Sequence, residues 1–303
     1  MDAPRQIERD ILLSLHRYSM LTTDQLGLLL HYQPKTVHNT FRPLRSRGWL
    51  ESLSLEFLTR NVKGWVLTKT GMRIAYDLAK EERKWLLRQS GFPLGQSEHL
   101  YGSNRFFTDL IRQSLTRPAQ EGLVEWIGMR DSGDRYPIFN RKQQRTTPLR
   151  PDGIGIYQFV NGSEAVFHVE YDTGSERLWI LRGKLWNYRE VLKTFWADIT
   201  CANVLFITRD SRRSERILEL WQGIRNDVFR NQPTPTIWTA AEDELVQRGP
   251  FAPVLQGIES KAVSFLDFPR LSGGNGDRSI PLGKQFRKKP FTRTKATNSP
   301  SSI

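Results

Sequence analysis

Apolar positions in the first ninety residues recur at helical spacing and then switch to alternation. In residues 6–17, QIERDILLSLHR, the side chains of Ile7, Ile11, Leu12 and Leu15 fall on one helical face. LTTDQLGLLL predicts a second, short helix: Thr22 followed three residues later by Gln25 is a capping-box pattern, and Leu26, Leu29 and Leu30 form the apolar side. Pro34 suits the first turn of a third helix, PKTVHNTFRPLRSRG, with Val37, Phe41 and Leu44 inward and Gly48 just past its end. Pro43 removes a backbone donor inside that helix and is expected to end its straight part near Arg42. LESLSLEFL then alternates, TRNVKG turns and WVLT returns, the pattern of a hairpin. Residues 71–89, GMRIAYDLAKEERKWLLRQ, predict a longer amphipathic helix that closes this unit or pairs with a second copy of the chain. Its KEERK run reads as a solvated face.

SGFPLGQS, rich in Gly, Pro and Ser, marks a boundary, after which the pattern changes. EHLYGSNRFFTDLIRQSL reads as a helix and LVEWIGM as a strand; residues 130–150 read as a polar, Arg-rich loop. DGIGIYQF and EAVFHVEYD are two strands joined by VNGS, whose Asn-Gly is a strong hairpin signal. A helix over SERLWILRGKLWNYREVLKTF, an apolar strand NVLFIT, a helix over SERILELWQGIRNDVF and a short strand TPTIWTA complete an α-β-β-β-α-β-α-β order. At 303 residues the chain exceeds what one compact core usually takes. The expected division is 1–95, 96–268 and a basic tail, 269–303, rich in Gly, Ser and Pro and expected to be disordered alone.

Charge sharpens this division. Residues 1–95 carry 15 Lys/Arg against 9 Asp/Glu, residues 96–268 carry 22 against 22, and residues 269–303 carry 8 against 1. Cationic ends on a neutral middle favour a polyanionic partner through counterion release. The tail segment QFRKKPFTRTK mixes cations with two Phe rings, which suits phosphate contact and base stacking as well as a merely solvated tail. Apolar runs fall short of a bilayer span, the N-terminus lacks a signal-peptide core, and a single cysteine excludes a disulfide framework. A cytoplasmic location without membrane contact is expected. Cys201, in CANVLFIT, reads as core filler in a buried strand, and Trp186 and Trp196 read as core.

The candidate chemistry lies around the second hairpin. Glu170 and Asp172 stand two apart on one strand, so their side chains leave the same face, and Asp152 lies beside them if VNGS pairs the strands. Hard oxygens held this way suit Mg²⁺, with water and a phosphate completing the octahedron. The same acids have plainer uses: Asp152 and Asp172 can cap turns, and Glu170 can pair with Arg182. Lys184 and Tyr188 share a face of the following helix. His99, in SEHLYGSNRF, reads as a structural partner.

Three helices followed by a hairpin resemble the winged helix-turn-helix family, which lays its third helix in the DNA major groove and its wing over the backbone. The resemblance implies that Lys35, Thr36, His38, Asn39, Arg42 and Arg45 face bases or phosphates of double-stranded DNA, and that Arg60 and Lys63 on the wing face phosphate. The second unit is similar to the restriction-endonuclease-like, PD-(D/E)xK, superfamily with its αβββαβ core. Pro151-Asp152 matches its first motif; Glu170-Tyr171-Asp172 sits at the second, with Asp172 in the lysine's place. The resemblance implies Asp152, Glu170, Asp172 and Lys184 as catalytic residues, Asp152 and Glu170 as ligands of Mg²⁺, and Lys184 as a relocated lysine. It equally allows an inactive nuclease fold kept as a scaffold. A winged helix, then RPD, EYDTG and KLWNY together resemble the replication-relaxation family of plasmids and integrated mobile elements. That resemblance implies an accessory factor, non-catalytic or weakly catalytic, working with replication or relaxase proteins. A Mg²⁺-dependent nickase and a winged-helix transcriptional regulator are its alternatives, and a homodimer is compatible with each.

Overall fold

The structure is a computed structural model that describes residues 3–58, 60–79, 96–136, 138–139, 145–146, 149–230, 232–259 and 261–271. It is a mixed α+β molecule. Helix α1, Gln6–Tyr18, buries Ile11, Leu12 and Leu15. A three-residue strand, β1 (Met20–Thr22), follows and gives way to α2 (Thr23–Leu30). The α2 capping box forms as expected: Gln25 N–H donates to Thr22 Oγ1 at 3.2 Å and Thr22 N–H donates to Gln25 Oε1 at 2.9 Å.

Helix α3 runs Pro34–Ser46 and does not end at Arg42, correcting the expectation set by Pro43. Pro43 forfeits one internal hydrogen bond, but the last turn is tied down on both sides of it. Buried Phe41 and Leu44 anchor it to the core. Gly48 N–H donates to Arg45 O at 2.8 Å and Trp49 N–H to Leu44 O at 3.0 Å, a Schellman closure with Gly48 at φ +67°. Strands β2 (Leu50–Ser54) and β3 (Lys63–Leu67) form the expected hairpin, and β1 joins it in the order β1-β3-β2. Helix α4, Lys69–Ala79, closes this unit. Residues 80–89 of the expected longer helix, and the boundary at 90–95, lie outside the described residues.

The second unit begins with α5 (Ser97–Ser114) and builds a five-stranded sheet. Its strands are β4 (Gly122–Gly128), β7 (Gly153–Gln158), β8 (Glu164–Asp172), β9 (Ala202–Thr208) and β10 (Thr236–Ala241), in the order β10-β9-β8-β7-β4. β4, β7 and β8 pair antiparallel, and β8, β9 and β10 pair parallel. Helices α7 (Leu178–Phe195) and α8 (Ser211–Ile224) provide the crossovers on one face. There Leu181, Leu185, Ile217 and Trp221 pack with Val166, Val204 and Phe206. Helix α5 covers the other face, where Phe106 and Phe107 pack with Phe167, Val169 and Tyr171. The expected order is present, with additions. The Arg-rich stretch contains α6 (Met129–Ser132) and a two-stranded β5 (Ile138–Phe139) and β6 (Arg145–Thr146), and α9 (Glu242–Arg248) follows β10. Cys201 is half-buried in a 3-10 turn ahead of β9, not inside the strand. Leu271 still exchanges hydrogen bonds with Glu164, so Pro269–Leu271 belong to the fold; 272–303 lie outside the described residues.

The two units share a core. Ile11, Leu15 and Phe41 belong to the same buried cluster as Phe107 and Trp126. Tyr18 stacks on Trp126 with ring centroids 3.8 Å apart. Asn104, on α5, donates from Nδ2 to Tyr18 O at 3.2 Å and Met20 O at 2.7 Å. The β2–β3 loop leans on the second unit too: Leu55, Leu58 and Val62 pack with Leu100, Tyr101 and Met129.

Candidate functional site

The β7–β8 register brings Asp152 and Glu170 together. Gly153 pairs with Val169, so Asp152, one residue earlier, stands opposite Glu170. Even-numbered residues of β8 face α7, and Glu170, only 1% exposed, points into that interface. There Tyr188 donates its hydroxyl to Glu170 Oε1 at 2.5 Å, and Lys184 Nζ lies 2.8 Å from Oε2. Lys184 and Tyr188 are one turn apart on α7, as their spacing predicts. Burial pushes the Glu170 carboxyl up to about 7, and the charge of Asp152 adds to this while Lys184 opposes it. Burial works against the charge of Lys184, but Glu170 and Asp152 overcome it and hold the ammonium well above its ordinary range. Tyr188 is likewise raised, first by burial and then by Glu170.

Asp152 Oδ2 accepts the Tyr171 N–H at 2.8 Å and lies 3.5 Å from His99 Nδ1. The hydrogen bond to Asp152 makes His99 more basic than usual, against the effect of burial. His99 therefore has the structural partner the sequence suggests, but that partner is the candidate site itself. It also lines an open cleft with Glu98, Thr173, Gly174, Ser175 and Arg209.

Asp172 leaves the cluster. Arg213, at the start of α8, reaches it with Nε 2.6 Å from Oδ2, and Gly174 N–H donates to Oδ1 at 2.9 Å. Arg213 also donates to Glu176 O at 2.6 Å, which pins the β8–α7 turn. The turn-capping use of Asp172 is thus realised, whereas Arg182, the alternative partner for Glu170, is exposed on α7. Among the described residues no group of three or more His, Cys, Asp or Glu could hold a metal ion. Asp152 and Glu170 still offer the hard-oxygen pair that Mg²⁺ takes, with water and phosphate as further ligands. Both Glu170 oxygens already have partners, so a cation would have to share that carboxylate with Lys184 or Tyr188.

Two neighbours carried no local signal in the sequence. Arg213 is 41 residues from Asp172. His168 is fully buried two residues before Glu170 on the same strand face; its Nδ1 donates to Asn203 O at 2.9 Å and its Nε2 accepts from Tyr136 OH at 2.5 Å. Burial lowers its pKa to about 4, so it is neutral. Strand alternation places His168 beside Glu170, but nothing local names its partners. Trp196 is buried as expected; Trp186 is not, being 40% exposed with its ring against Phe229.

On the N-terminal unit, Lys35, Thr36, His38, Asn39, Arg42 and Arg45 are all exposed along α3, opposite buried Val37, Phe41 and Leu44. Arg60 and Lys63, in and just after the β2–β3 loop, are also exposed.

The model of the replication-relaxation family matches residues 12–202, from α1 to the start of β9. The chain belongs to the replication-relaxation family. The matched span takes in α3 as well as Asp152, Glu170, Asp172 and Lys184, so both candidate sites are inside the part shared with the family. No curated protein matches the chain. No helix among the described residues is long and apolar enough to cross a membrane.

Proposed function

We propose that this replication-relaxation family member is a DNA-binding protein of plasmid or mobile-element replication or relaxation, acting chiefly as an accessory factor. Its N-terminal unit is read as a winged helix-turn-helix, and its second unit as a restriction-endonuclease-like scaffold that holds DNA or a replication or relaxase partner. The observation that carries this reading is the exposed row from Lys35 to Arg45 on α3, backed by a buried Val37-Phe41-Leu44 stripe and followed by a hairpin bearing Arg60 and Lys63. The enclosure of Glu170 favours a scaffold over a fast enzyme, since both its oxygens are engaged and burial pushes its carboxyl toward the protonated form. The test is duplex affinity at low salt, measured by fluorescence anisotropy. Arg42→Glu should weaken binding by roughly tenfold or more, because one phosphate contact is replaced by repulsion. Unchanged affinity would mean that α3 is not the reading helix.

A second reading, a Mg²⁺-dependent nickase, is favoured by one observation: Lys184 Nζ sits 2.8 Å from Glu170 and feels the charge of Asp152, so a cation stands beside the acid pair although the strand carries Asp172 in its place. In that reading Asp152 and Glu170 hold the ion, which supplies Lewis-acid chemistry when bound. Lys184 steadies negative charge, and Asp172 with Arg213 fixes the turn beside it. Supercoiled plasmid incubated with Mg²⁺ or Mn²⁺ separates the readings. Conversion to open circles that Asp152→Ala abolishes supports the nickase; intact supercoils at every metal concentration support the accessory factor.

A further inference from the structure

Helix α7 buries one side against the sheet and leaves an unusual opposite side. Trp179, in its first turn, is 69% exposed, and Trp186, seven residues on, is 40% exposed. Seven helical residues rise about 10 Å and return nearly to the same side, so the two indoles flank Gly183 on the outer surface. A Cβ at Gly183 would meet no atom within 4 Å, so the helix surface at that point is uncovered. Leu178 and Ile180 are also exposed, and Arg177, just ahead of the helix, and Arg182, three residues after Trp179, are exposed as well. The patch adjoins the candidate site: Ile180 is one turn before Lys184, and Glu176, just ahead of the helix, has its carboxylate 3.9 Å from Lys184 Nζ.

An indole this exposed costs solvation unless something covers it. A continuous apolar partner surface would need the arginines desolvated, whereas a polynucleotide uses both kinds of group, stacking bases on rings and placing phosphates on guanidiniums. Paired bases have their faces already occupied by neighbours, so the occupant that gains most is an unpaired strand. We infer that the outer face of α7 binds single-stranded DNA, with Trp179 stacking on a base and Arg177 and Arg182 meeting the adjoining phosphates. The inference rests on the reading of the chain as a DNA-binding protein and extends it from duplex on α3 to an unpaired strand beside Asp152 and Glu170. This arrangement suits a molecule that meets DNA where a strand has been displaced.

The test compares a fluorescein-labelled dT oligonucleotide with a duplex, using the full chain and its Trp179→Ala, Trp179→Phe and Arg182→Glu variants. All three substitutions are on the surface and leave the core intact. Trp179→Ala should weaken dT binding by about tenfold, the loss of one stacked base, and Trp179→Phe should retain most of the affinity. Arg182→Glu should weaken dT binding and make what remains less sensitive to salt, because one phosphate contact is lost, and none of the three should change duplex affinity. Unaltered dT affinity in Trp179→Ala overturns the inference. So does an equal loss on duplex, or a change in sedimentation showing that the face joins two copies of the chain. Arg42→Glu separates this inference from the reading it extends: if it leaves duplex binding unchanged while Trp179→Ala still loses dT binding, only the role of α3 falls.

Discussion

At the scale of single residues the site is governed by charge inside a dry interface. Lys184 and Glu170 are an ion pair in which the acid is almost wholly enclosed, so removing the cation leaves a carboxylate that must take a proton or stay uncompensated. Lys184→Met should therefore lower stability by roughly 3 kcal/mol in urea unfolding, and the double variant with Glu170→Gln should recover much of the loss. His168 gives the matching pH prediction. Its pKa drops from 6.5 to about 4 on folding, so the unfolded chain takes up a proton that the folded chain refuses. The stability it contributes is complete above pH 6.5 and is lost as pH falls toward 4. Relative to His168→Phe, wild type should lose roughly 3 kcal/mol across that window, read as a shift in urea midpoint. Of these residues, Asp152 and Glu170 were legible in the sequence through the hairpin and strand alternation, and Lys184 through the resemblance to the nuclease superfamily. Arg213 and Tyr136 were not, because a partner 41 or 32 residues away leaves no local mark.

At the scale of elements, legibility follows the range of the interactions that make each one. The α2 start, the α3 start at Pro34, the α3 stop at Gly48 and the Asn161-Gly162 hairpin are decided within four residues, and the sequence announces each of them. Gly48 sits at φ +67°, where an L side chain is strained, while a Cβ there would meet no neighbour within 4 Å. Gly48→Ala should then cost about 1 kcal/mol through backbone conformation alone, a drop of several degrees in melting temperature. Gly102 is the opposite case. A Cβ there would lie 2.1 Å from the Tyr171 ring, because α5 lies tight against β8 just where Asp152 meets the Tyr171 N–H. Gly102→Ala should push α5 from the strand, cost roughly 1–3 kcal/mol and displace His99 from Asp152, visible as a fall in the NMR-titrated pKa of His99. No pattern in SEHLYGSNRF distinguishes this glycine from an ordinary weak point in a helix. Strand β1, only three residues long, was hidden for the same reason, since its pairing with β3 is its whole basis.

At the scale of the molecule, the charge map divides the chain more sharply than the packing does. The composition break and the Gly/Pro/Ser segment near residue 95 suggest two units that could part, yet buried side chains from both form one cluster, with Tyr18 stacked on Trp126 and Asn104 satisfying two carbonyls of the N-terminal unit. An interface of this kind ties the stability of α3 to that of the sheet, so local opening of one unit exposes apolar surface of the other. Urea unfolding should then be one transition, with far-UV circular dichroism and tryptophan fluorescence giving the same midpoint. Trp126→Ala should lower both midpoints together, by an amount corresponding to roughly 3–5 kcal/mol. Two separated transitions, or a Trp126→Ala effect on only one, would show that the units unfold independently. The coupling matters for the proposed function. Because Leu55, Leu58 and Val62 anchor the hairpin loop to α5 and α6, and α5 carries His99 to Asp152, duplex held by α3 would stand at a fixed distance from the acid pair and from the aromatic face of α7. Lengthening the 115–121 connection, which lies beyond α5, should leave duplex affinity intact, whereas Leu58→Ala, which loosens the loop's packing on the Leu55–Leu100 cluster, should blur the position at which bound DNA is protected in a footprint.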